Sequence, residues 1–265
     1  MLDNMTIGQY FPGDSIIHKL DPRVKIAAVT LYIIAIFMIT KFIVYIPVAL
    51  MIALVLYITK IPVKSVLKGL RPIIFIVLLT FIINIFMTPG EVVFKAGIFS
   101  ITKEGIRTGS FMAFRLIFLV LGTSLLTLTT SPISLTNGLE DIMKPLSKIG
   151  FPSHQLAMMM TIALRFIPTL FEETDKIRKA QMARGADFES GNIIARAKNM
   201  IPLLVPLFIN AFRRADDLAV AMEARCYRGG DDKTRLNELK YEKRDKVAYI
   251  VMILLFAIII ATRYI

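Results

Sequence analysis

Five stretches of this chain are long and almost wholly apolar: Ile26–Thr40, Phe42–Thr59, Pro72–Thr88, Thr108–Thr130 and Val247–Thr262. A helix needs about 20 such residues to cross hydrocarbon, so the shorter runs need interfacial flanks or a thinned bilayer. The pattern predicts an all-α, polytopic membrane protein with about five transmembrane helices. Only Lys41 separates the first two runs, too tight a junction for an ordinary loop between two full crossings.

Composition agrees with a membrane setting. Of 265 residues 55% are hydrophobic, yet the formal charge is +12. That combination excludes an ordinary soluble domain. A charge of this size suits nucleic acid or the anionic cytoplasmic leaflet. The basic residues cluster beside the apolar runs, which favours the lipid bilayer and no nucleic acid. One cysteine, Cys226, leaves no intramolecular disulfide and no cysteine-based metal site. Asp3, Asp14 and Asp21 precede the first apolar run, unlike a cleavable signal.

Orientation follows from the basic residues. Lys60, Lys64, Lys68 and Arg71 follow the second run with no acid among them, which places that junction in the cytoplasm. Counting along the chain puts the N-terminus and residues 131–245 in the cytoplasm and the C-terminus outside, in a multi-pass protein of the cell membrane. Three parts result: 1–130 with the first four spans, 131–245 as a cytoplasmic helical region, and 246–265 as the last span. In the middle part 18 basic residues face 15 acidic ones, a soluble-like balance rather than a polybasic tail.

Three helices are expected there. Leu135–Ile149 is short and amphipathic, and Gly150-Phe151-Pro152 breaks it. Ser153 is placed to N-cap a second helix that runs to about Arg184, with a kink expected at Pro168. A third runs from about Leu203 to Arg225. The second and third end alike, in Ala183-Arg184-Gly185 and Ala224-Arg225-Cys226, 41 residues apart. At that offset Phe171 falls on Phe212, Asp175 on Asp216 and Ala180 on Ala221. Steps of four and three give a packing stripe through Ala163, Ile167, Leu170, Thr174, Ile177 and Gln181. Its counterpart passes through Leu204, Phe208, Ala211, Ala215, Leu218 and Met222. A guanidinium at a helix C-terminus is favoured by the dipole and offers a planar fork of donors to carboxylates or carbonyls. A basic residue followed by glycine is also a common helix ending, so one copy alone means little; two in matched register point to function. Cys226 departs from the glycine ending, although Gly229-Gly230 follow shortly.

These residues resemble the transmembrane T component of energy-coupling factor (ECF) transporters. The resemblance rests on Arg165 through Leu170, Gln181 through Gly185, and the N-terminal Tyr10-Phe11-Pro12-Gly13 with His18 through Arg23. It covers essentially the whole chain and departs at Cys226, where glycine is more typical. It implies two long, crossed coupling helices whose ends, Ala183, Arg184, Gly185, Ala224, Arg225 and Cys226, dock on two ATP-binding cassette ATPase subunits. It implies also a substrate-binding membrane subunit, the S component, which reorients to release a vitamin or metal ion inside, and an N-terminal pattern closer to modules shared among several such subunits. The chain itself would then be no enzyme and carry no cofactor. Methionines 158–160 would either meet the S component or pack within the chain.

Other chemistry finds little support. No GxxxxGK[ST] loop is present, and His18 and His154 have no metal-ligand spacing. Asp216-Asp217 and Asp231-Asp232 do not continue as DDxxD. Arg115 and Asn84 are the polar residues inside spans that bear on a solitary secondary transporter, the alternative reading. No acid lies inside any span, which leaves proton or sodium coupling unsupported, and Arg115 is expected to snorkel or pair within the bundle.

Overall fold

The computed structural model describes residues 10–96, 99–188, 190–227 and 239–264. Gly229-Gly230 and Asp231-Asp232 lie outside them. The chain forms two compact units, one of residues 1–142 with 239–265 and the other of residues 143–238.

In the first unit α1 (Pro22–Met38) leads through a break and a 3-10 turn (Phe42–Val44) into α2 (Tyr45–Thr59). Then come α3 (Val63–Met87), a hairpin of β1 (Val92–Ala96) and β2 (Phe99–Thr102), α4 (Lys103–Thr129), α5 (Pro132–Met143) and, at the end of the chain, α9 (Lys243–Tyr264). Among the described residues four segments are long and apolar enough to cross a membrane: Phe42–Thr59, α3, α4 and Lys243–Thr262. The 17-residue α1 is shorter. The core draws Tyr32 and Ile36 from α1, Val48 and Ile52 from α2, Leu125 and Leu128 from α4, and Leu255 and Ile259 from α9. Outside that core the unit is apolar at its surface as well. Phe75 on α3 is 71% exposed, the state a lipid-facing side chain wants, since hydrocarbon exacts no penalty for it.

The turns show why the elements end where they do. Thr102 caps α4, its hydroxyl accepting from the Gly105 N–H at 3.0 Å. At Gly105 and Gly109, four residues apart, an added Cβ would meet the Asn84 carbonyl at 2.8 Å and the Phe81 ring at 3.1 Å, so α3 and α4 run backbone against backbone. Asn84 itself donates to the Thr80 carbonyl one turn earlier, at 2.8 Å. Arg115 answers the tight junction at Lys41. From the middle of α4 its Nη2 donates to the Ile39 carbonyl at 3.2 Å, capping the end of α1, while its guanidinium lies 5.1 Å from the Phe111 ring centre.

The N-terminal pattern His18–Arg23 builds a buried polar clasp. Asp21 accepts from the Arg23 N–H and from its guanidinium, the latter at 2.7 Å. Arg23 also donates to the Leu239 carbonyl at 3.0 Å and faces Asp141 on α5 at 3.4 Å. Lys25 reaches the His18 and Thr129 carbonyls, both at 3.0 Å. Asp245, 1% exposed, accepts from the Asp21 N–H at 2.9 Å and the Glu242 N–H at 2.8 Å. The clasp thus joins the start of α1 to α4, α5 and the start of α9.

Several boundaries differ from those read in the sequence. Lys64, Lys68 and Arg71 lie on the first turns of α3, not in a loop, and Pro72 sits inside that helix. Leu135–Ile149 is two elements, because Pro145 opens a 3-10 helix, Lys144–Ile149, after α5. Ser153 is the first residue of its helix and makes no cap; Pro152 holds the N-cap position. The β hairpin was not foreseen.

Candidate functional site

The second unit holds the repeat. Its helices are α6 (Ser153–Ala183), α7 (Ile193–Asn199) and α8 (Ile201–Ala224). Arg184 is the C-cap of α6 at φ −87°, ψ 5°, and Arg225 that of α8 at φ −91°, ψ 14°. Behind each arginine the chain turns left-handed, at Gly185 with φ 87° and at Cys226 with φ 58°. The hydrogen bonds match as well. Gly185 N–H reaches the Met182 carbonyl at 3.0 Å and Ala186 N–H the Gln181 carbonyl at 3.0 Å. Cys226 N–H reaches the Glu223 carbonyl at 2.8 Å and Tyr227 N–H the Met222 carbonyl at 3.0 Å. Both ends are Schellman motifs in the same register. Cysteine therefore keeps the backbone of the glycine ending, at the steric cost that a Cβ carries in that region.

Both helices pack together antiparallel. Met158 accepts from the Tyr227 hydroxyl at 2.9 Å, Glu173 pairs with Arg214, and the Gln181 side chain reaches the Pro202 carbonyl at 3.4 Å. Past the end of α6, Asn199 donates to the Asp187 carbonyl at 2.8 Å. As the partner on α6 advances along the chain, the partner on α8 falls back. Glu173 and Arg214 are themselves 41 residues apart, so they hold the same place in the two repeats. Equivalent positions meet only where a local two-fold axis passes through a helix pair, and the crossing therefore centres on this ion pair. Each arginine tip lies eleven residues beyond it, in opposite directions. At about 1.5 Å of rise per residue the tips stand on the order of 30 Å apart.

The sequence-derived stripe is placed as follows. Ile167, Leu170 and Ile177 on α6 are half-buried, as are Ala211 and Leu218 on α8. Ala163, Phe208 and Ala215 are exposed. Over the first half of α8 the seam runs one residue over, through Leu203, Leu207, Asn210 and Arg214, and beyond it Leu218 and Met222 keep the expected register. Ala183, Arg184, Gly185, Ala224, Arg225 and Cys226 are all exposed. Near the first tip, Lys179 and Arg178 hydrogen-bond Asp175 at 2.7 and 2.9 Å and hold its carboxyl below the usual carboxylate value. The seam shift opens an unpartnered apolar face on α8, where Ile201, Val205, Phe208 and Phe212 stand 50% or more exposed at helical spacing. Sequence reasoning missed the Glu173–Arg214 pair, although its signal, opposite charges at equivalent repeat positions, was present.

Fold and site together define an all-α, multi-pass membrane protein that carries a pair of antiparallel helices with matched arginine ends. Residues 13–236 match the family described as cobalt transport protein, CbiQ. The chain is 57% identical over 265 residues to the energy-coupling factor transporter transmembrane protein EcfT of Clostridium kluyveri, covering 99% of this chain and 98% of that protein. It is 56% identical over 261 residues to the protein of the same name from Thermosediminibacter oceani, with 98% of each covered. The Bacillus subtilis protein of that name is 47% identical over 264 residues, 99% of this chain and all of its own length. The chain belongs to this family, the transmembrane T components of ECF transporters.

Proposed function

We propose that the chain couples two ATP-hydrolysing subunits to a substrate-binding membrane subunit for the uptake of a vitamin or metal ion. In this reading the second unit and the N-terminus are cytoplasmic and the C-terminus is outside. Arg184 and Arg225 each insert into a docking groove of one ATPase. Closure of the ATPases on ATP moves the two grooves, and α6 and α8, held together at Glu173–Arg214, carry that movement toward the bilayer. The exposed face of α8, from Ile201 to Phe212, meets the substrate-binding subunit, and chemistry stays with the partners.

The observation that carries the reading is the pair of matched, exposed arginine ends at opposite extremes of one antiparallel helix pair. A capping role alone gives no reason for two such ends to share register, cap geometry and exposure. The test is affinity purification from the native membrane of wild type and the double variant Arg184→Ala, Arg225→Ala. Wild type should bring down two ATPase chains and a small membrane protein, and the variant should lose the ATPases. Truncating one desolvated, charge-paired interface arginine costs about 2–5 kcal/mol, so even single changes should weaken assembly. ATPases retained at wild-type level by a folded double variant would sink the docking role.

A further inference from the structure

A cavity of about 290 Å³ lies beside the clasp, inside the first unit. Val24 and Ala28 of α1, Val55 of α2, Leu125 of α4 and Val251 of α9 form its apolar walls. Lys25, Tyr32, Thr129 and Arg244 are the polar side chains that line it. Three of them are spent on backbone. Tyr32 donates to the Phe118 carbonyl, Thr129 to the Leu125 carbonyl, and Lys25 to the His18 and Thr129 carbonyls. Arg244 differs. Its Nη2 donates at 2.9 Å to Glu242, whose side chain is 56% exposed. Its Nε is buried and meets no acceptor among the described residues. The neighbouring acid, Asp245, accepts instead from the N–H groups of Asp21 and Glu242.

The cavity opens sideways, since Leu54 of α2 and Val247 and Val251 of α9 line it and are 48% or more exposed. Along α9 it runs from Arg244 to Met252, about 12 Å at the rise of a helix, close to the ~15 Å of hydrocarbon in one leaflet. A lipid tail gains little by leaving one hydrocarbon setting for another, so the walls alone select no lipid. A phosphate does what a tail cannot, because its oxygens take the N–H groups of a guanidinium in pairs. Basic pockets between helices at the level of the headgroups suit that chemistry.

We propose that this cavity holds one tail of an anionic phospholipid whose phosphate is bound along the Nε edge of Arg244. A zwitterionic lipid brings its own ammonium beside the phosphate, which Arg244 repels. The site does not depend on which leaflet this is; in the orientation proposed above it is the cytoplasmic one, which carries anionic lipid.

The test is native mass spectrometry of the purified full chain, stripped of lipid and titrated with dioleoyl phosphatidylglycerol or dioleoyl phosphatidylcholine. Wild type should retain one phosphatidylglycerol with roughly tenfold preference over phosphatidylcholine. Arg244→Gln should lose that preference, whereas Lys243→Gln, which removes an exposed cation of the same turn, should keep it. Ala28→Phe fills the cavity and should weaken both lipids alike. Should the thermal midpoint without lipid show that this variant is misfolded, Ala28→Leu takes its place. Equal retention of the two lipids by wild type, equal effects of the Arg244 and Lys243 changes, or undiminished binding by a folded cavity-filling variant would overturn the site. In the native membrane, phosphatidylglycerol with a photoreactive tail should label α9 between Val247 and Met252. Labelling of the isolated chain but not of the chain within its native complex would overturn the proposal in favour of a partner's helix. Arg244-dependent binding, found together with Cys226 reacting from outside the cell with an impermeant thiol reagent, would uphold the site and overturn the orientation alone.

Discussion

Cys226 and Gly185 solve the same backbone problem with different side chains, which makes their energetic difference measurable. An L-residue in the left-handed region loses about 1 kcal/mol relative to glycine. An added Cβ at Gly185 meets no atom within 4 Å, so Gly185→Ala isolates the backbone cost. Cys226→Gly should raise the stability of the purified protein by about 1 kcal/mol and Gly185→Ala lower it by about the same, read as opposite shifts of the thermal midpoint. Shifts of one sign for both would mean that the second end is held by contacts of the thiol rather than by the cap. Asp245 poses the stricter residue-scale test. Its carboxylate serves the N–H groups of Asp21 and Glu242 from a site 1% exposed, beside Lys25. Asp245→Ala leaves two N–H groups and a buried ammonium without it, a loss of about 3 kcal/mol or more. The clasp should then open, and proteolysis before α9 should rise while α3 and α4 stay protected.

At the scale of elements, α1 and α4 meet where Gly122 leaves room for the Tyr32 ring. A Cβ at Gly122 would lie 2.1 Å from that ring, whose hydroxyl donates to the Phe118 carbonyl at 2.6 Å. Gly122→Ala should therefore cost about 1–3 kcal/mol by overpacking, seen as a lower thermal midpoint in detergent. Adding Tyr32→Leu should recover part of that loss, whereas additive losses would place the two residues out of contact. The elements themselves were legible where one signal dominated. Apolar runs marked the spans, and the repeat marked the ends of α6 and α8. They were not legible where short-range and tertiary terms compete. Pro145 splits α5 from its 3-10 continuation, a boundary that amphipathic spacing alone runs through. The hairpin of β1 and β2 lies between two long helices, where pairing of two short strands competes with apolar spacing that a helix also fits. In the first half of α8 the seam is turned by one residue, toward the Arg214 that Glu173 takes as partner, which leaves Phe208 63% exposed. A hydrophobic stripe read from spacing cannot register that an ion pair will claim the middle of an interface.

For the molecule as a whole, the consequence of an antiparallel pair centred on Glu173–Arg214 is a fixed separation between its arginine ends. Were the helices parallel, equal places in the repeat would lie side by side and the tips would fall together, about 10 Å apart at ordinary helix packing distance. Antiparallel packing places them at opposite extremes, on the order of 30 Å apart. That span suits a device touching two bodies at once; two adjacent ends would serve only one. The separation can be measured with Cys226 as one spin-label site and Gly185→Cys as the other, since both positions share a left-handed backbone and face solvent. Pulsed dipolar spectroscopy on the purified chain should give one distance population near 30 Å, widened by the label tethers. Reversing only one member of the central pair, as in Glu173→Arg, sets like charges together and should broaden the population, while Glu173→Arg with Arg214→Glu should narrow it again. A distribution centred below about 20 Å would exclude the antiparallel arrangement and, with it, the wide separation of the two arginine ends.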